Sequence, residues 1–151
     1  YEIRNCDWSS DVCSSDLVGL QAALALALAD RAERAERLGA LRDRLWRGLE
    51  ALGDIQLNGH PSARLAHNLN VAVGGVDGTR LHQRLRRRIA VSSGSACSQG
   101  SPSHVLEALG RRRQQAAASI RFGLGRTTQE SDIAVAIDAV REAVAELRSA
   151  P

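Results

Sequence analysis

Hydrophobic residues recur every three or four positions towards both ends of the chain, which is the period of an α-helix with one buried face. Near the N-terminus the pattern predicts one long helix over 18–52, with a break near Gly39 and an end at Gly53. Near the C-terminus it predicts a helix that begins at a capping pair of Thr127 and Glu130. We expect both apolar stripes to be core. Their residues are Leu20, Leu24, Leu28, Leu38, Leu41, Leu45, Leu49 and Leu52, then Ile133, Ile137, Val140, Val144 and Leu147.

Between these helices, short apolar runs bounded by turn residues predict strands. Asp77 is placed to cap a helix up to Arg87, and Ser101-Pro102 begins another that ends at Gly110, before an exposed connection over 111–115. The elements alternate in a way that predicts an α+β fold, with helices on one face of a short sheet. The strands are 55–57, 67–73, 89–92 and 118–124; the inward residues of the short helices are Leu81, Leu85, Val105, Leu106 and Leu109.

The composition is that of a soluble globular domain, with 44% hydrophobic and 25% charged residues among 151. No apolar run is long enough for a membrane span and no signal peptide opens the chain, so we expect a cytoplasmic protein. The sequence contains no Met, and we expect it to be a piece of a longer protein. Residues 1–17 lack any period and resemble translated adapter sequence, so we expect them to be non-native or disordered and 18–151 to form the domain.

All 20 basic residues are Arg, and two groups of them, over 84–88 and 111–113, give the chain its basic clusters. A nucleic-acid site is one interpretation, but stacking aromatics are absent from the sequence near both groups, which favours a solvated arginine-rich face. Three Cys, an odd number, do not predict disulfides, and their spacing does not predict a metal site. The four histidines are scattered singly and are interpreted as surface or loop residues. They are His60, His67, His82 and His104.

Cys97 lies in a run of Ser and Gly that follows the predicted strand 89–92. A thiol in such a loop is exposed and mobile, as a reactive nucleophile requires. The residues alone leave two other interpretations open: a small buried hydrophobe, or an incidental Cys in a flexible linker. The serines over 92–95 supply flexibility rather than catalysis, because the sequence has no G-x-S-x-G nucleophile elbow.

Four segments carry a family resemblance: SSGSAC at 92–97, PSHVLEALG at 102–110, SIRFGLGR at 119–126 and TTQESDI at 127–133. Together they closely resemble the C-terminal part of cysteine desulfurases, which are pyridoxal-phosphate enzymes of the class V aminotransferase group. The resemblance is to the branch that serves iron–sulfur cluster assembly and tRNA thiolation. It implies the small C-terminal domain of the fold-type I aminotransferase fold, preceded by a long linking helix.

The resemblance also implies roles for two residues. A full-length enzyme would convert L-cysteine to L-alanine and leave a persulfide on Cys97, for which the thiolate is the nucleophile. Arg121 matches the binder of the substrate α-carboxylate, which a guanidinium can hold by two parallel hydrogen bonds. The residues alone also allow Arg121 to be an ordinary solvent-facing strand residue. His104 is interpreted as a surface residue of the short helix rather than as a contact of the thiol. Arg126 is interpreted as a neighbour of the last helix's cap.

Two departures from the family pattern lie close to these residues. Gly123 stands where the family often has Ser. The stretch between Cys97 and Pro102 is shorter than in many relatives, which reduces the reach of the sulfur atom by about 3.5 Å for each extended residue that is lacking. The shorter loop bears on long-range sulfur delivery rather than on the chemistry itself.

The family holds pyridoxal 5'-phosphate on a lysine amine, and this sequence contains no Lys. Arginine cannot replace it because the guanidinium stays protonated, so we expect this segment alone to be inactive and to bind the cofactor only as part of a longer enzyme. The resemblance further implies L-cysteine as substrate, a sulfur-acceptor or scaffold protein as partner, and a homodimer. Two alternatives stay open: another class V enzyme, such as a selenocysteine lyase or an aminotransferase, and an arginine-rich module that binds RNA or an acidic protein.

Overall fold

The computed structural model describes residues 12–92 and 103–149, and the chain divides into two units between Arg34 and Ala35. In the first unit, α1 spans Val12–Ala29 and α2 begins at Arg31. Asp30 interrupts the predicted single helix, so the expected break near Gly39 is wrong. Asp30 is a turn residue between the two helices: its backbone oxygen accepts a hydrogen bond from Arg34 N–H at 2.9 Å, and its side chain accepts one from Arg34 Nε at 3.3 Å. Aspartate favours such positions over helix interiors because its side chain competes for backbone hydrogen bonds.

The apolar stripe of α1 is exposed. The side chains of Leu20, Leu24 and Leu28 are more than half accessible, so the expectation that they lie in the core is wrong. Their spacing predicted a helix correctly, but helical spacing alone does not say that a partner for the apolar face is at hand.

The described residues of the second unit form the rest of α2, a three-stranded sheet and four further helices. α2 ends at Glu50, and Gly53 and Asp54 then adopt left-handed backbone conformations (φ 72° and 50°), which turn the chain into the sheet. The predicted stop at Gly53 is therefore confirmed. The remaining elements are β1 Ile55–Leu57, β2 Asn68–Val73, α3 Gly78–Leu85, α4 His104–Ala108, α5 Arg113–Ala117, β3 Ser119–Gly123 and α6 Glu130–Ser149.

The sheet is antiparallel, in the order β1-β2-β3, and the predicted α+β class is confirmed. The predicted strand over 89–92 is wrong, because only Ser92 joins the sheet, by a single bridge to Arg121. The backbone N–H groups of Arg88 and Ile89 both still bond to Leu85 O, at 2.9 Å, and so belong to the closing turn of α3. Too few residues then remain between this turn and the bridge at Ser92 to form a strand.

One face of the sheet is apolar and forms the core with α2, α3 and α6. A Cβ at Gly48 of α2 would lie 2.3 Å from Ile137 Cδ1 of α6, so a larger residue there would force the Ile137 side chain to shift. The predicted inward residues of α3 and the stripe of α6 are confirmed, with Ile137 and Leu147 half-buried. In α4 only one predicted inward residue is buried. The buried residues of these elements include Leu38, Leu41, Leu45, Leu49, Leu69, Val71, Val73, Leu81, Leu85, Leu106, Ile120, Phe122, Ile133, Val140 and Val144.

The exposure of Val105 and Leu109, each just over half accessible, corrects the predicted apolar side of α4. The helix has five residues and begins at His104, with Ser103 at its N-cap position. Because the helix is so short, only one of its apolar residues, Leu106, faces the core. Its predicted start at Ser101-Pro102 lies outside the described residues, whereas its predicted end at Gly110 (φ 80°) is confirmed.

Two arginines fasten distant segments to each other through backbone carbonyls. Arg148 Nη2, near the end of α6, donates to Gly53 O and Gly74 O, both at 3.0 Å. Arg37 Nη1, in α2, donates to Thr128 O at 2.8 Å, just before α6. Each end of α6 is thus tied to a segment that lies far away in the sequence.

The start of α6 is capped differently from the prediction. Thr128 Oγ1 accepts a hydrogen bond from the backbone N–H of Gly125 at 2.8 Å. Asp132 accepts one from the backbone N–H three residues before it, at 2.9 Å. The reciprocal pair predicted for Thr127 and Glu130 is therefore wrong: α6 begins at Glu130 itself, and the side chain that bonds back to the residue before the helix is that of Asp132.

No helix among residues 12–92 and 103–149 is both long enough and apolar enough to cross a lipid bilayer.

Burial of the His82 ring lowers its pKa below the ordinary value, and the hydrogen bond that Nε2 donates to Ser119 O, at 3.2 Å, opposes this only in part. The folded chain therefore binds fewer protons here than the unfolded chain does. We expect the contribution of His82 to the free energy of unfolding to be complete above about pH 6.5, the ordinary pKa of histidine. It should be lost as the pH falls through the lower pKa that His82 has in the folded chain. Urea unfolding between pH 8 and pH 5 measures it, with H82Q expected to decline less steeply.

The matched control is H104Q, because His104 is an exposed histidine of the same chain. An H82Q variant that declines with falling pH as steeply as H104Q would contradict the assignment.

Candidate functional site

The second face of the sheet is polar, since the side chains of the strands alternate between the two faces. We call this surface the polar face. Asn58 is buried within it, and its Nδ2 donates to Asn70 Oδ1 at 2.6 Å and to Ser119 Oγ at 3.1 Å. These bonds satisfy polar groups that are otherwise costly to bury. The residues of the polar face are Gln56, Asn58, Asn68, Asn70, Ser119, Arg121 and Gly123.

Arg111 covers one end of the polar face. Its Nε donates to Asn58 Oδ1 and its Nη2 to Leu57 O, both at 2.6 Å, and its Nη1 donates to Gln56 Oε1. The expectation that 111–115 is an exposed connection is therefore wrong: Arg111 is half-buried against the sheet, and the helix α5 begins at Arg113. The left-handed turn at Gly110 carries the chain back over the sheet, and the planar guanidinium matches several acceptors at once.

Arg121 lies at the centre of β3 with its side chain exposed, directly beside Asn70 of β2. On its other side it pairs with Ser92: Arg121 N–H donates to Ser92 O at 2.9 Å, and Ser92 N–H donates to Arg121 O at 3.2 Å. The side chains of the two residues are bonded as well, since Arg121 Nη2 donates to Ser92 Oγ at 2.9 Å. That bond uses one of five guanidinium N–H groups, and within the described part of the chain the other four carry no partner.

This arrangement leaves Arg121 able to bind an anion. No carboxylate of the described ranges forms an ion pair with it, so its charge is not neutralised from within the fold there. Four N–H groups in a planar fork suit a carboxylate, which accepts two parallel bonds. The side chain of Arg121 therefore offers an anion several N–H donors on the polar face.

Cys97, the predicted nucleophile, lies outside the described residues, which stop at Ser92 and resume at Ser103. Its role stays a prediction from the sequence. The structure does place the described residue that precedes the Cys97 segment against Arg121. His104 is the exposed first residue of α4.

Asn68 and Gly123 face each other across β2 and β3, next to Arg121. Asn68 Oδ1 is buried and has no hydrogen-bond partner among the described residues. A Cβ built on Gly123 would meet nothing within 4 Å, and this glycine does not have a left-handed backbone. The site thus contains an unused acceptor and, beside it, the space for a small side chain.

A cleft of about 520 Å³ lies elsewhere in the second unit, between α2 and the start of α6, and has three arginines in its lining. Each of them is engaged within the fold: Arg37 with Thr128 O, Arg44 with Glu130, and Arg47 Nε with a backbone carbonyl of its own helix. The cleft does not include Arg121. These contacts explain the arginines as structural.

Arginines of the basic cluster over 84–88 likewise form ion pairs between elements of the fold. Arg84 pairs with Glu146 at 2.7 Å, and Arg88 pairs with Glu142, so both join the end of α3 to α6. Among the residues that the structure describes, no three His, Cys, Asp or Glu side chains come together as a metal site would need.

Sequence reasoning identified Arg121 but gave Ser92 and Arg111 no specific role. The alternation of apolar and polar residues in β2 and β3 is a signal that could have assigned Asn68, Asn70 and Ser119 to the face that carries Arg121. The contacts of Ser92 and Arg111 span 29 to 55 positions, and no local pattern announces them.

Comparison with known proteins agrees with this geometry. The profile of the family described as Aminotransferase class-V matches residues 13–135. Two proteins named cysteine desulfurase IscS, from Ectopseudomonas mendocina and Stutzerimonas stutzeri, are each 44% identical to this chain over 142 residues, which is 93% of this chain and 35% of the relative. A solved NifS-like protein superposes with a TM-score of 0.74 at 27% identity, over 86% of this chain and 33% of its own. The chain spans about a third of the length of these relatives.

The empty space at Gly123 generates a prediction. Gly123→Ser replaces a strand glycine and brings a hydroxyl donor beside Asn68 Oδ1, so we expect the free energy of unfolding to rise by about 1 kcal/mol. Urea denaturation of the chain measures this. Gly123→Ala is the control, because it adds the Cβ without the donor, and equal stability of the two variants would show that the hydrogen bond does not form.

Proposed function

Since the chain belongs to the class V aminotransferase family, we propose that it forms part of a cysteine desulfurase, of which residues 18–151 are the small C-terminal domain. The observation that carries the proposal is the exposed guanidinium of Arg121, which donates a hydrogen bond to Ser92, the described residue just before the Cys97 segment. The two relatives named cysteine desulfurase support it at 44% identity.

The proposed reaction combines a binding residue and an acceptor. Arg121 holds the α-carboxylate of L-cysteine by its guanidinium fork. The Cys97 thiolate bonds to the substrate sulfur as the substrate's carbon–sulfur bond breaks. The carbon keeps the electron pair and takes up a proton, which yields L-alanine, while Cys97 carries the persulfide. Atoms and electrons balance without an external oxidant or reductant.

The cofactor of the family does not fit the residues of this chain. Class V aminotransferases depend in general on pyridoxal phosphate, which is held on a lysine amine, and none of the 151 residues is Lys. Arg121 and the other guanidiniums cannot form that linkage. We therefore assign this chain the binding of the substrate carboxylate and the acceptance of sulfur, and no step on the cofactor.

The wider setting is proposed from the family resemblance. The persulfide of Cys97 would pass to a sulfur-acceptor or scaffold protein, for iron–sulfur cluster assembly or tRNA thiolation. The full-length enzyme would work in the cytoplasm as a homodimer.

The acceptor role of Cys97 is testable in a chimera, in which this chain replaces the matching segment of the Ectopseudomonas mendocina relative. We expect Cys97→Ala to lower L-alanine formation from L-cysteine by at least about 100-fold, because the nucleophile is removed. Mass spectrometry should lose the extra sulfur on the peptide that contains residue 97.

The matched control replaces the other two cysteines, Cys6 and Cys13, and should keep both signals. Undiminished desulfuration by the Cys97→Ala chimera would reject the assignment. Retained cleavage of selenocysteine alone would instead favour a selenocysteine lyase.

The carboxylate role of Arg121 predicts a separate effect. Arg121→Lys keeps the charge but loses the planar fork, so we expect the KM for L-cysteine to rise by about 10- to 100-fold, with a smaller change in kcat. Steady-state kinetics of the same chimera measure both. Arg113→Lys is the control, because Arg113 is an exposed arginine, and an unchanged KM in the Arg121 variant would exclude the role.

A further inference from the structure

We propose that Ser92 is a positioning residue, whose hydroxyl aims the guanidinium of Arg121 at the carboxylate of the substrate. The inference rests on the proposed function. It gives Ser92 a role in substrate binding, in place of the flexibility that its sequence context predicts.

The geometry ties the two residues at three points. Two backbone hydrogen bonds, of 2.9 and 3.2 Å, form the bridge between them, and the bond from Arg121 Nη2 to Ser92 Oγ, of 2.9 Å, adds the side chains. The residues lie 29 positions apart, so the contact belongs to the tertiary fold. Because the backbone bridge fixes where Cβ of Ser92 stands, the hydroxyl is held at a defined place next to β3.

The other described polar neighbours of Arg121 do not bond to its guanidinium: Asn68 Oδ1 has no partner among the described residues, and two further side chains bond elsewhere. Asn70, directly across the sheet, accepts at Oδ1 from Asn58 Nδ2 at 2.6 Å. Ser119, on the same face of β3, donates its hydroxyl to Gln115 O at 2.8 Å. Among the described residues, Ser92 is thus the one whose side chain bonds to the guanidinium.

The chemistry of a serine suits this task. A free arginine side chain loses rotamer entropy when it is ordered, and a hydrogen bond made before the substrate arrives bears part of that cost in advance. A hydroxyl is neutral, so it orients the guanidinium without cancelling the charge that attracts the substrate. An Asp or Glu here would orient Arg121 equally well but would compete for the same fork.

The experiment compares Ser92→Ala with Ser92→Thr in the chimera described above. We expect Ser92→Ala to raise the KM for L-cysteine by about 5-fold, with kcat changed by less than about 2-fold, and Ser92→Thr to restore the KM, because it keeps the hydroxyl. Ser103→Ala is the matched control: Ser103 is the described residue on the far side of the Cys97 segment, and its side chain makes no capping bond to α4.

A second readout separates positioning from a general loosening of the fold. We expect Ser92→Ala to weaken competitive inhibition by L-alanine, which has a carboxylate, by about 5-fold as well, and to leave inhibition by cysteamine, which has none, unchanged. The thermal midpoint of unfolding should match that of Ser103→Ala.

Three results would overturn the inference: an unchanged KM in Ser92→Ala, an equal rise in Ser103→Ala, or equal weakening of L-alanine and cysteamine inhibition. Failure of the proposed function gives a different pattern. There the Cys97→Ala chimera still makes L-alanine from L-cysteine, while the carboxylate-selective effect of Ser92→Ala remains.

Discussion

The antiparallel register of β2 and β3 is the constraint from which the rest of the second unit follows. It places Val71 opposite Ile120 on the apolar face and Asn70 opposite Arg121 on the polar face. A slip of one residue would exchange the two faces and bury a guanidinium in the core, at a cost no local contact could offset. The helices that cover the apolar side hold this register in place, and the open arginine is therefore a consequence of hydrophobic packing.

Much of this arrangement could be predicted from the sequence, because it depends on periodicity. The stripe of α6, the alternation of β2 and β3, and the glycines that end helices all act over a few residues, and the structure confirms them. The family resemblance supplied the role proposed for Arg121, and the register leaves its side chain exposed on the polar face, as that proposal needs.

The rest depends on distance in the fold. Leucine spacing predicted a helix over 18–52 with a break near Gly39, but the break lies at Asp30, a turn residue between α1 and α2. A three-residue apolar run before Ser92 predicted a strand at 89–92, but the closing turn of α3 uses its first residue, Ile89. Arg111 looked like a solvated charge because three consecutive arginines usually are, yet its acceptors lie more than 50 positions earlier. Local composition cannot foresee which of several arginines will find buried acceptors.

The way in which Arg37 and Arg148 bind has an evolutionary consequence. Each donates to main-chain carbonyls, and every residue type provides a carbonyl. The side chains of the accepting residues take no part in these bonds, whereas substitution of the arginine removes them. Across homologues the accepting positions would therefore not need to change together with the arginine, so that methods which infer proximity from correlated substitutions would pass over these ties.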